Sequence, residues 1–267
     1  METILLPVIA LTAIGLVLSV LLVLASKFLA VKKDETFEKV RGCLPGVNCS
    51  ACTYPSCDEY AKAILNGEKT NLCVPGGDSA SRKISEVLGT KFEDVKEMSA
   101  YVACNGNCDV AAMEYKYDGV RTCAACSILG KGEKACDFAC IGYGDCVNVC
   151  KYDAIHIENG VAKVDKSKCV GCGMCVKACP LHVIHLIPQI DETIVSCSNE
   201  NKGVVTRQMC KVGCIGCKKC EKACVSEAIK VVNNLAKIDY TKCTNCKACI
   251  KECPTNAISE YRFCDED

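Results

Sequence analysis

The chain has 267 residues, of which 28 are cysteine and none is tryptophan. Cysteine usage at this level otherwise occurs in disulfide-rich secreted chains of usually less than about 80 residues, so a chain of this length indicates several small units built around cysteines. Lys plus Arg equal Asp plus Glu, 32 against 32, and only three residues are His. The charge balance argues against nucleic-acid binding, and the scarcity of His argues against a histidine-based metal enzyme.

The first predicted element is a transmembrane anchor, residues 1–33. Residues 3–26 are uncharged and mostly apolar, and about 20 such residues suffice to cross a membrane as a helix. Glu2 precedes this run, whereas Lys32 and Lys33 follow it, so the positive-inside rule places the rest of the chain on the cytoplasmic side of the cell membrane. The acidic start and the long run argue against a cleaved signal peptide. A cytoplasmic location predicts thiols rather than disulfides.

Residues 34–76 are predicted to form a small iron–sulfur domain. The stretch LPGVNCSACTYPSC and one later cysteine supply four thiolates: Cys49, Cys52, Cys57 and Cys73. A short helix is predicted after Cys57, with Asp58 and Glu59 in its first turn and Gly67 at its end. A four-cysteine zinc site would use the same ligands, so the spacing favours iron–sulfur here without excluding zinc.

Two later runs match the Cys-x2-Cys-x2-Cys-x3-Cys-Pro pattern of [4Fe–4S] ferredoxins, at 169–180 and at 243–254. A third run without the proline spans 214–224. Three thiolates of such a run bind one cluster and the fourth binds its neighbour, whereas zinc ribbons use two separated pairs. The last two runs therefore predict two clusters, one on Cys214, Cys217, Cys220 and Cys253, the other on Cys224, Cys243, Cys246 and Cys249.

This two-cluster module is duplicated, because a shift of 74 residues superposes nine cysteines between 123 and 179 on nine between 197 and 253. One position differs, since Tyr143 aligns with Cys217. The cluster on Cys140, Cys146 and Cys179 then lacks a ligand, and Cys136 is the nearest replacement in sequence. The partner cluster in this first copy has a complete set: Cys150, Cys169, Cys172 and Cys175.

The predicted fold class is α+β: one N-terminal transmembrane helix, a small four-cysteine iron–sulfur domain, and tandem ferredoxin-like modules. The modules occupy 123–190 and 191–267, and 77–122 is a linker that carries further candidate ligands. Within the modules, AIHIENGVAKVD and AIKVVNNLAKID alternate in polarity and turn at Asn-Gly or Asn-Asn, which predicts β-hairpins.

Eight cysteines remain outside these five sets. A sixth cluster has two candidate ligand sets, of which the second is local: Cys104, Cys123, Cys197 and Cys210, or Cys104, Cys108, Cys123 and Cys126. The repeat favours the first set, because the gapless shift makes Cys123 and Cys197 equivalent. Cys43 and Cys264 are predicted to be thiols that pack as small apolar side chains. The prediction is therefore about six [4Fe–4S] clusters, five of them from spacing.

No dinucleotide-binding fingerprint or phosphate-binding loop is present in the sequence. We therefore assign no catalytic residue and no cofactor beyond the clusters. The sequence predicts a chain that carries electrons without substrate chemistry of its own.

The order of these parts resembles the B subunit of the Rnf electron transport complex, in the long form found in anaerobes such as clostridia. LPGVNCSACTYPSC resembles the small domain of that family, and KVGCIGCKKCEKAC resembles its ferredoxin modules. The family usually has Gly where this chain has Ser50, Thr53 and Ser56, and none of these changes removes a ligand. The resemblance covers essentially the whole chain.

The resemblance implies that the chain accepts electrons from reduced ferredoxin or flavodoxin. It would relay them into a membrane complex whose other, flavin-bearing subunits reduce NAD+ and export Na+ or H+. The alternatives are a polyferredoxin subunit of a hydrogenase or other membrane reductase without ion pumping, and a zinc-stapled membrane scaffold. Because ferredoxins and the cluster-loaded chain would both be acidic, we predict a basic docking patch at Lys211, Lys218, Lys219 and Lys222.

Overall fold

The computed structural model describes residues 2–28 and 35–261, with ten helices and eight short strands in these ranges. The side chains of residues 2–11 and 26–28 lie outside the described set. The described strands pair into four antiparallel two-stranded sheets. Sheets of this size cannot enclose one large core, so the chain packs as several small cores rich in cysteine.

Helix α1 spans Glu2–Phe28. Its described side chains, residues 12–25, are all exposed. Within the described part of the chain, no helix meets the length and hydropathy needed to cross a membrane. Of the predicted anchor, Met1 and residues 29–33 lie outside the described residues.

Three helices build the small domain: α2 (Glu35–Cys43), α3 (Cys57–Leu65) and α4 (Gly77–Leu88). The helix predicted after Cys57 is confirmed as α3. It starts where the Ser56 hydroxyl accepts a hydrogen bond from the Glu59 backbone N–H at 3.2 Å, which satisfies one of the free donors of its first turn. Ile84 of α4 is fully buried against Tyr60, so the start of the predicted linker packs into the small domain.

Each ferredoxin-like module contains one of the predicted hairpins, and both hairpins are confirmed. The first pairs β2 (Ile155–Glu158) with β3 (Val161–Val164), and the second pairs β6 (Ile229–Val232) with β7 (Leu235–Ile238). The turn residues 159–160 and 233–234 all have positive φ. This is the geometry of tight hairpin turns, which Asn and Gly adopt at low cost.

The helices of the two modules also repeat at the 74-residue interval. In the first copy, α6 is Asp145–Asn148 and α7 is Met174–Ala178. In the second, α9 is Lys219–Ala223 and α10 is Ala248–Lys251. Two further helices flank these modules, α5 (Cys123–Gly130) and α8 (Gly203–Met209). The remaining strands pair β1 (Met98–Val102) with β4 (Ile184–Pro188), and β5 (Thr193–Val195) with β8 (Ile258–Glu260).

Strands β1 and β5, which precede the two modules' cysteine runs, do not follow the 74-residue interval of the modules. The Ala103 N–H donates to the Val183 carbonyl at 2.7 Å, and the Ser196 N–H donates to the Ala257 carbonyl at 2.8 Å. The two acceptors are 74 residues apart but the two donors are 93 apart. The first copy therefore contains 19 additional residues between this strand and its hairpin, and the gapless repeat is interrupted there.

This insertion changes which cysteines are equivalent. Cys104 follows β1 as Cys197 follows β5, and the sequences Val-Ala-Cys and Val-Ser-Cys share this position. The structural counterpart of Cys197 is therefore Cys104, and the equivalence of Cys123 with Cys197 in the gapless alignment is wrong. The matching Val-x-Cys at both strand ends is the sequence signal that would have revealed it.

Candidate metal centres

Every cysteine in the described ranges is a free thiol, in agreement with the prediction of thiols. Within these ranges, 24 of them converge four at a time. We label the six sets site A (Cys49, Cys52, Cys57, Cys73), site B (Cys150, Cys169, Cys172, Cys175), site C (Cys123, Cys140, Cys146, Cys179), site D (Cys104, Cys136, Cys197, Cys210), site E (Cys214, Cys217, Cys220, Cys253) and site F (Cys224, Cys243, Cys246, Cys249).

Site A gathers the four thiols predicted for the small domain. Burial raises the pKa of Cys73 to about 11, and negative charge on the other three thiols raises it further. The Cys57 N–H donates to the Asn48 side-chain oxygen at 2.9 Å and so holds the start of α3 against the loop. Ser50 and Thr53 in that loop have positive φ, a conformation that glycine adopts without strain.

Sites B and F contain the sets predicted from the ferredoxin runs. Each set lines a pocket of its own. In each, a backbone N–H points at a cysteine sulfur from the repeat-equivalent position: Ala154 to Cys150 at 3.4 Å and Ala228 to Cys224 at 3.3 Å. Hydrogen bonds of this kind are typical of cluster-bound thiolates.

Site E also gathers its predicted thiols. Burial raises the pKa of Cys220 to about 11, and charge on Cys214, Cys217 and Cys253 acts in the same direction. Cys220 lies on α9, and Cys224 of site F ends that helix. One short helix therefore serves two sites, as the crossed pattern of the runs predicts.

Site C differs from the predicted set. Its four thiols line one pocket, in which Cys123 takes the place predicted for Cys136. The reason is Asp145, whose carboxylate accepts hydrogen bonds from the Cys123 N–H at 3.0 Å and the Ala124 N–H at 2.9 Å. These bonds hold the start of α5 beside Cys146, a contact across 22 residues of sequence that the spacing of cysteines does not reveal.

Tyr143, which aligns with Cys217, lies outside the lining of this cavity. Its ring packs beside Tyr117, with the ring centres 6.0 Å apart. Burial raises its pKa to about 12, and charge on Glu133 raises it further. The side chain therefore faces the inserted segment, which also supplies the replacement thiol.

Site D is the candidate sixth centre, and its four thiols line one pocket. Three of its cysteines belong to the favoured predicted set, but Cys136 stands where Cys123 was predicted. Cys104 and Cys136 come from the first copy, and their structural counterparts Cys197 and Cys210 come from the second. The site is thus built from two equivalent pairs that meet between the modules.

The alternative local set is not brought together. Cys108 is exposed and lies near Gly160 in the β2–β3 turn, whereas Cys126 is fully buried and hydrogen-bonds with Tyr143. Cys43 is half-buried, packs against the small-domain core and donates to the Lys39 carbonyl at 3.3 Å. Cys264 lies outside the described residues. In the described part of the chain, no group of three or more His, Cys, Asp or Glu is arranged to hold a single metal ion.

Protein-family comparisons match the same regions. The family described as "Putative Fe-S cluster" matches residues 44–75, and the 4Fe-4S binding domain matches residues 162–185 and 236–259. The first match contains all four thiols of site A. The other two contain three thiols each of sites B and F and one thiol each of sites C and E, and all three matches support the iron–sulfur interpretation of the four-thiol sets.

Curated relatives extend the similarity to nearly the whole chain. The B subunit of the Na(+)-translocating ferredoxin:NAD(+) oxidoreductase complex of Acetobacterium woodii is 41% identical over 97% of this chain and 78% of its own length. The B subunit of the proton-translocating complex of Clostridium ljungdahlii is 38% identical over 91% and 87%. The B subunit of the ion-translocating oxidoreductase complex of Methanosarcina acetivorans is 36% identical over 87% and 89%.

The chain belongs to the family of Rnf complex B subunits. The resemblance predicted from the order of its parts is therefore confirmed.

Neighbouring sites raise the pKa of one another's thiols, and these pairs show which sites are adjacent. Burial raises the pKa of Cys172 in site B, and charge on Cys49 in site A raises it further. The Lys177 ammonium also donates to the Cys49 carbonyl at 2.7 Å, which fastens the small domain to the first module. Burial raises the pKa of Cys146 in site C to about 12, and charge on Cys175 in site B adds to this effect.

The second half of the line follows in the same way. Burial raises the pKa of Cys140 in site C to about 11, with a further contribution from Cys104 in site D. Burial, with a smaller contribution from charge on Cys214 in site E, raises the pKa of Cys197 in site D to about 12. Since α9 joins sites E and F, the sites follow one another in the order A, B, C, D, E, F.

Proposed function

We propose that this chain is the electron-transfer subunit of a ferredoxin:NAD+ oxidoreductase complex, in which it relays electrons through six [4Fe–4S] clusters. The observation that carries the proposal is the convergence of 24 thiols on six four-cysteine sites in one line. The relatives at 41% and 38% identity are named as subunits of such complexes.

The donor sets fit the proposed group. Each site offers four cysteine sulfurs, which is the ligand set of a [4Fe–4S] cluster. When bound, such a cluster takes up and releases single electrons at a potential set by its surroundings. Burial keeps the thiols of Cys146 in site C and Cys197 in site D protonated, so binding of a cluster there releases protons from these side chains.

Helix α1 is proposed to anchor the chain in the cell membrane. The support is the sequence: residues 3–26 are uncharged and mostly apolar, and about 20 such residues suffice to cross the hydrocarbon core as a helix. The basic residues that follow residue 26 support the proposal that the six sites lie on the cytoplasmic side. Site A lies in the domain that follows the anchor directly, so it is the site proposed to pass electrons to the membrane partners.

Site F lies at the other end of the line, and we propose that reduced ferredoxin or flavodoxin docks near it. Lys218, Lys219 and Lys222 lie on or at the start of α9, between sites E and F, and all are exposed. Lys211 is also exposed. A basic surface beside exposed Cys217 and Cys246 suits an acidic donor that must approach closely.

The complex is proposed to contain further flavin-bearing and membrane subunits, which reduce NAD+ and move Na+ or H+. This distinguishes it from a polyferredoxin of a hydrogenase or another reductase. Mild extraction of native membranes, with affinity purification of this chain, should recover multispan and flavin-bearing subunits. Recovery of a hydrogenase instead would replace the proposal.

The cluster count is tested by measuring iron, acid-labile sulfide and zinc per chain on anaerobically purified protein. Six clusters require about 24 iron and about 24 sulfide, and five require about 20. A count near 20 would remove one of the six sites. Stoichiometric zinc with little iron would replace electron transfer with a zinc-stapled scaffold.

The docking patch is tested by reversing the charges of Lys218, Lys219 and Lys222 to Glu. We expect reduction by ferredoxin at low salt to slow by about tenfold or more, because steered association depends on complementary charge. The difference should shrink as ionic strength rises. The triple variant Lys83→Glu, Lys91→Glu, Lys96→Glu makes the same charge change at exposed positions near the small domain and should leave the rate unchanged. Equal rates for both triples would move the docking surface elsewhere.

A further inference from the structure

Site D is asymmetric although its cysteines form two equivalent pairs. At the 93-residue interval that relates β5 to β1, Asn199 corresponds to Gly106. By the 74-residue interval of the modules, Lys134 corresponds to Gln208. At both positions one half of the site carries a polar or charged side chain that the other half lacks.

Asn199 donates to a ligand sulfur. The side chain is buried, with 2% exposed, and its oxygen accepts from the Asn201 N–H at 2.7 Å. This bond orients the amide so that its nitrogen donates to the Cys136 sulfur at 3.2 Å. On the other half, Gly106 offers no donor, and a Cβ built there would lie 3.2 Å from the Cys210 sulfur.

Lys134 is a buried cation between sites C and D. It is 6% exposed, and its ammonium donates to the carbonyls of Cys140 at 2.8 Å and Gly160 at 2.7 Å. Carbonyl groups do not neutralise its charge. That charge opposes the effect of burial on the pKa of Cys140 in site C and of Cys210 in site D. Gln208, its counterpart in the second copy, is neutral and exposed.

Both groups favour the reduced form of a cluster, which carries one more negative charge. Hydrogen bonds to sulfur and nearby positive charge raise the reduction potential of a cluster. Site C shares the cation, but its sulfur contact is a backbone one, from the Ala162 N–H to Cys140 at 3.5 Å. Sites B and F receive backbone N–H groups and, at Cys224, the Ser226 hydroxyl at 3.5 Å.

We propose that Lys134 and Asn199 make site D the site with the highest reduction potential in the chain. An electron on the chain then occupies this site, at the junction of the two modules, in preference to the other sites. The inference rests on the proposed cluster at this site. It assigns tuning roles to two side chains that do not bind iron. It also predicts that site D is reduced before the sites on either side.

The test is a redox titration of the anaerobically purified full chain, followed by electron paramagnetic resonance, with iron counted in each sample. The variants are Lys134→Met, which removes the charge, and Asn199→Asp, which keeps the acceptor for Asn201 but replaces the donor. Each should make reduction of the highest-potential component about tenfold less favourable, which is about 59 mV for one electron. Lys134→Arg keeps the charge and should restore most of the potential.

The control is Lys131→Met, because Lys131 lies in the same segment with its side chain 55% exposed. It should leave the potential unchanged. If Lys134→Met and Asn199→Asp both keep their full iron content and the highest reduction potential is unchanged in both, the inference is overturned. The cluster proposal then still stands. A wild-type chain without iron would overturn the cluster proposal itself. If one of these two variants loses iron, the other decides, because full iron with an unchanged highest potential in that variant also overturns the inference.

Discussion

The two ferredoxin-like copies share their hairpins, helices and most cysteines, yet they complete their clusters differently. In the second copy, site E takes all its ligands from the module, including Cys217. In the first, Tyr143 occupies that position, and site C takes Cys123 from a segment of 19 inserted residues that the second copy lacks. The comparison shows that a missing ligand can be replaced from a distant part of the chain when another interaction holds the replacement in place.

The same comparison explains the junction between the copies. Cys104 and Cys197 follow equivalent strands, and Cys136 and Cys210 precede equivalent runs. Because Cys123 completes site C, neither Cys104 nor Cys136 is needed inside the first module. All four can therefore meet in site D, which links two duplicated units into one line.

The largest expected effect comes from removing the replacement thiol. Cys123→Ala should lower the iron content by about four per chain, because site C would lose a ligand. Adding Tyr143→Cys to that variant should restore the iron by recreating the arrangement of the second copy. Iron and sulfide analysis of the two purified variants checks both statements.

The matched control is Cys136→Ala. It should also lose about four iron per chain, but from site D, and Tyr143→Cys should not rescue it. Rescue of Cys136→Ala together with no rescue of Cys123→Ala would return Cys136 to site C.

A smaller effect is expected at the glycine that faces each hairpin turn. Gly142 has φ +89° and its Cβ would overlap the Gly160 carbonyl, whereas Gly216 has φ +64° and its Cβ would lie 2.9 Å from the Asn234 carbonyl. Alanine at either position costs about 1–2 kcal/mol for the left-handed backbone. Gly142→Ala should cost about 1–3 kcal/mol more because the turn must move. Thermal unfolding of the two holoproteins compares them, and an equal loss of stability would show that the closer approach has no cost.

The smallest expected effect concerns the carboxylate that positions Cys123. Asp145→Ala removes two hydrogen bonds at the start of α5, and loss of such a cap costs about 0.5–2 kcal/mol. The holoprotein should unfold at a lower temperature and release iron from site C faster in the presence of a chelator. Lys219→Ala, at the repeat-equivalent position, should change neither. Unaltered iron release in Asp145→Ala would mean that α5 is held by other contacts.

Local patterns predict much of this molecule. The two hairpins, the helix after Cys57 and the ligand groups at sites A, B, E and F all follow from residues close together in the chain or from one well-known crossed pattern. Asn-Gly and Asn-Asn turns allow only a narrow range of backbone geometry. Three cysteines at intervals of three in a tight loop necessarily lie near one another. The family resemblance followed from the order of the same parts.

Which cysteines form sites C and D could be established only from the tertiary structure. Their composition depends on which cysteine, Cys123 or Cys136, lies beside Cys146, and sequence distance favours Cys136. The Asp145 hydrogen bonds and the pairing of β1 with β4 decide otherwise, because they bring together segments separated by 22 residues or more. The sequence by itself determined how many thiols each module could offer. Only the folded chain decided how they are shared, since ligand sets follow distances in space and not intervals along the chain.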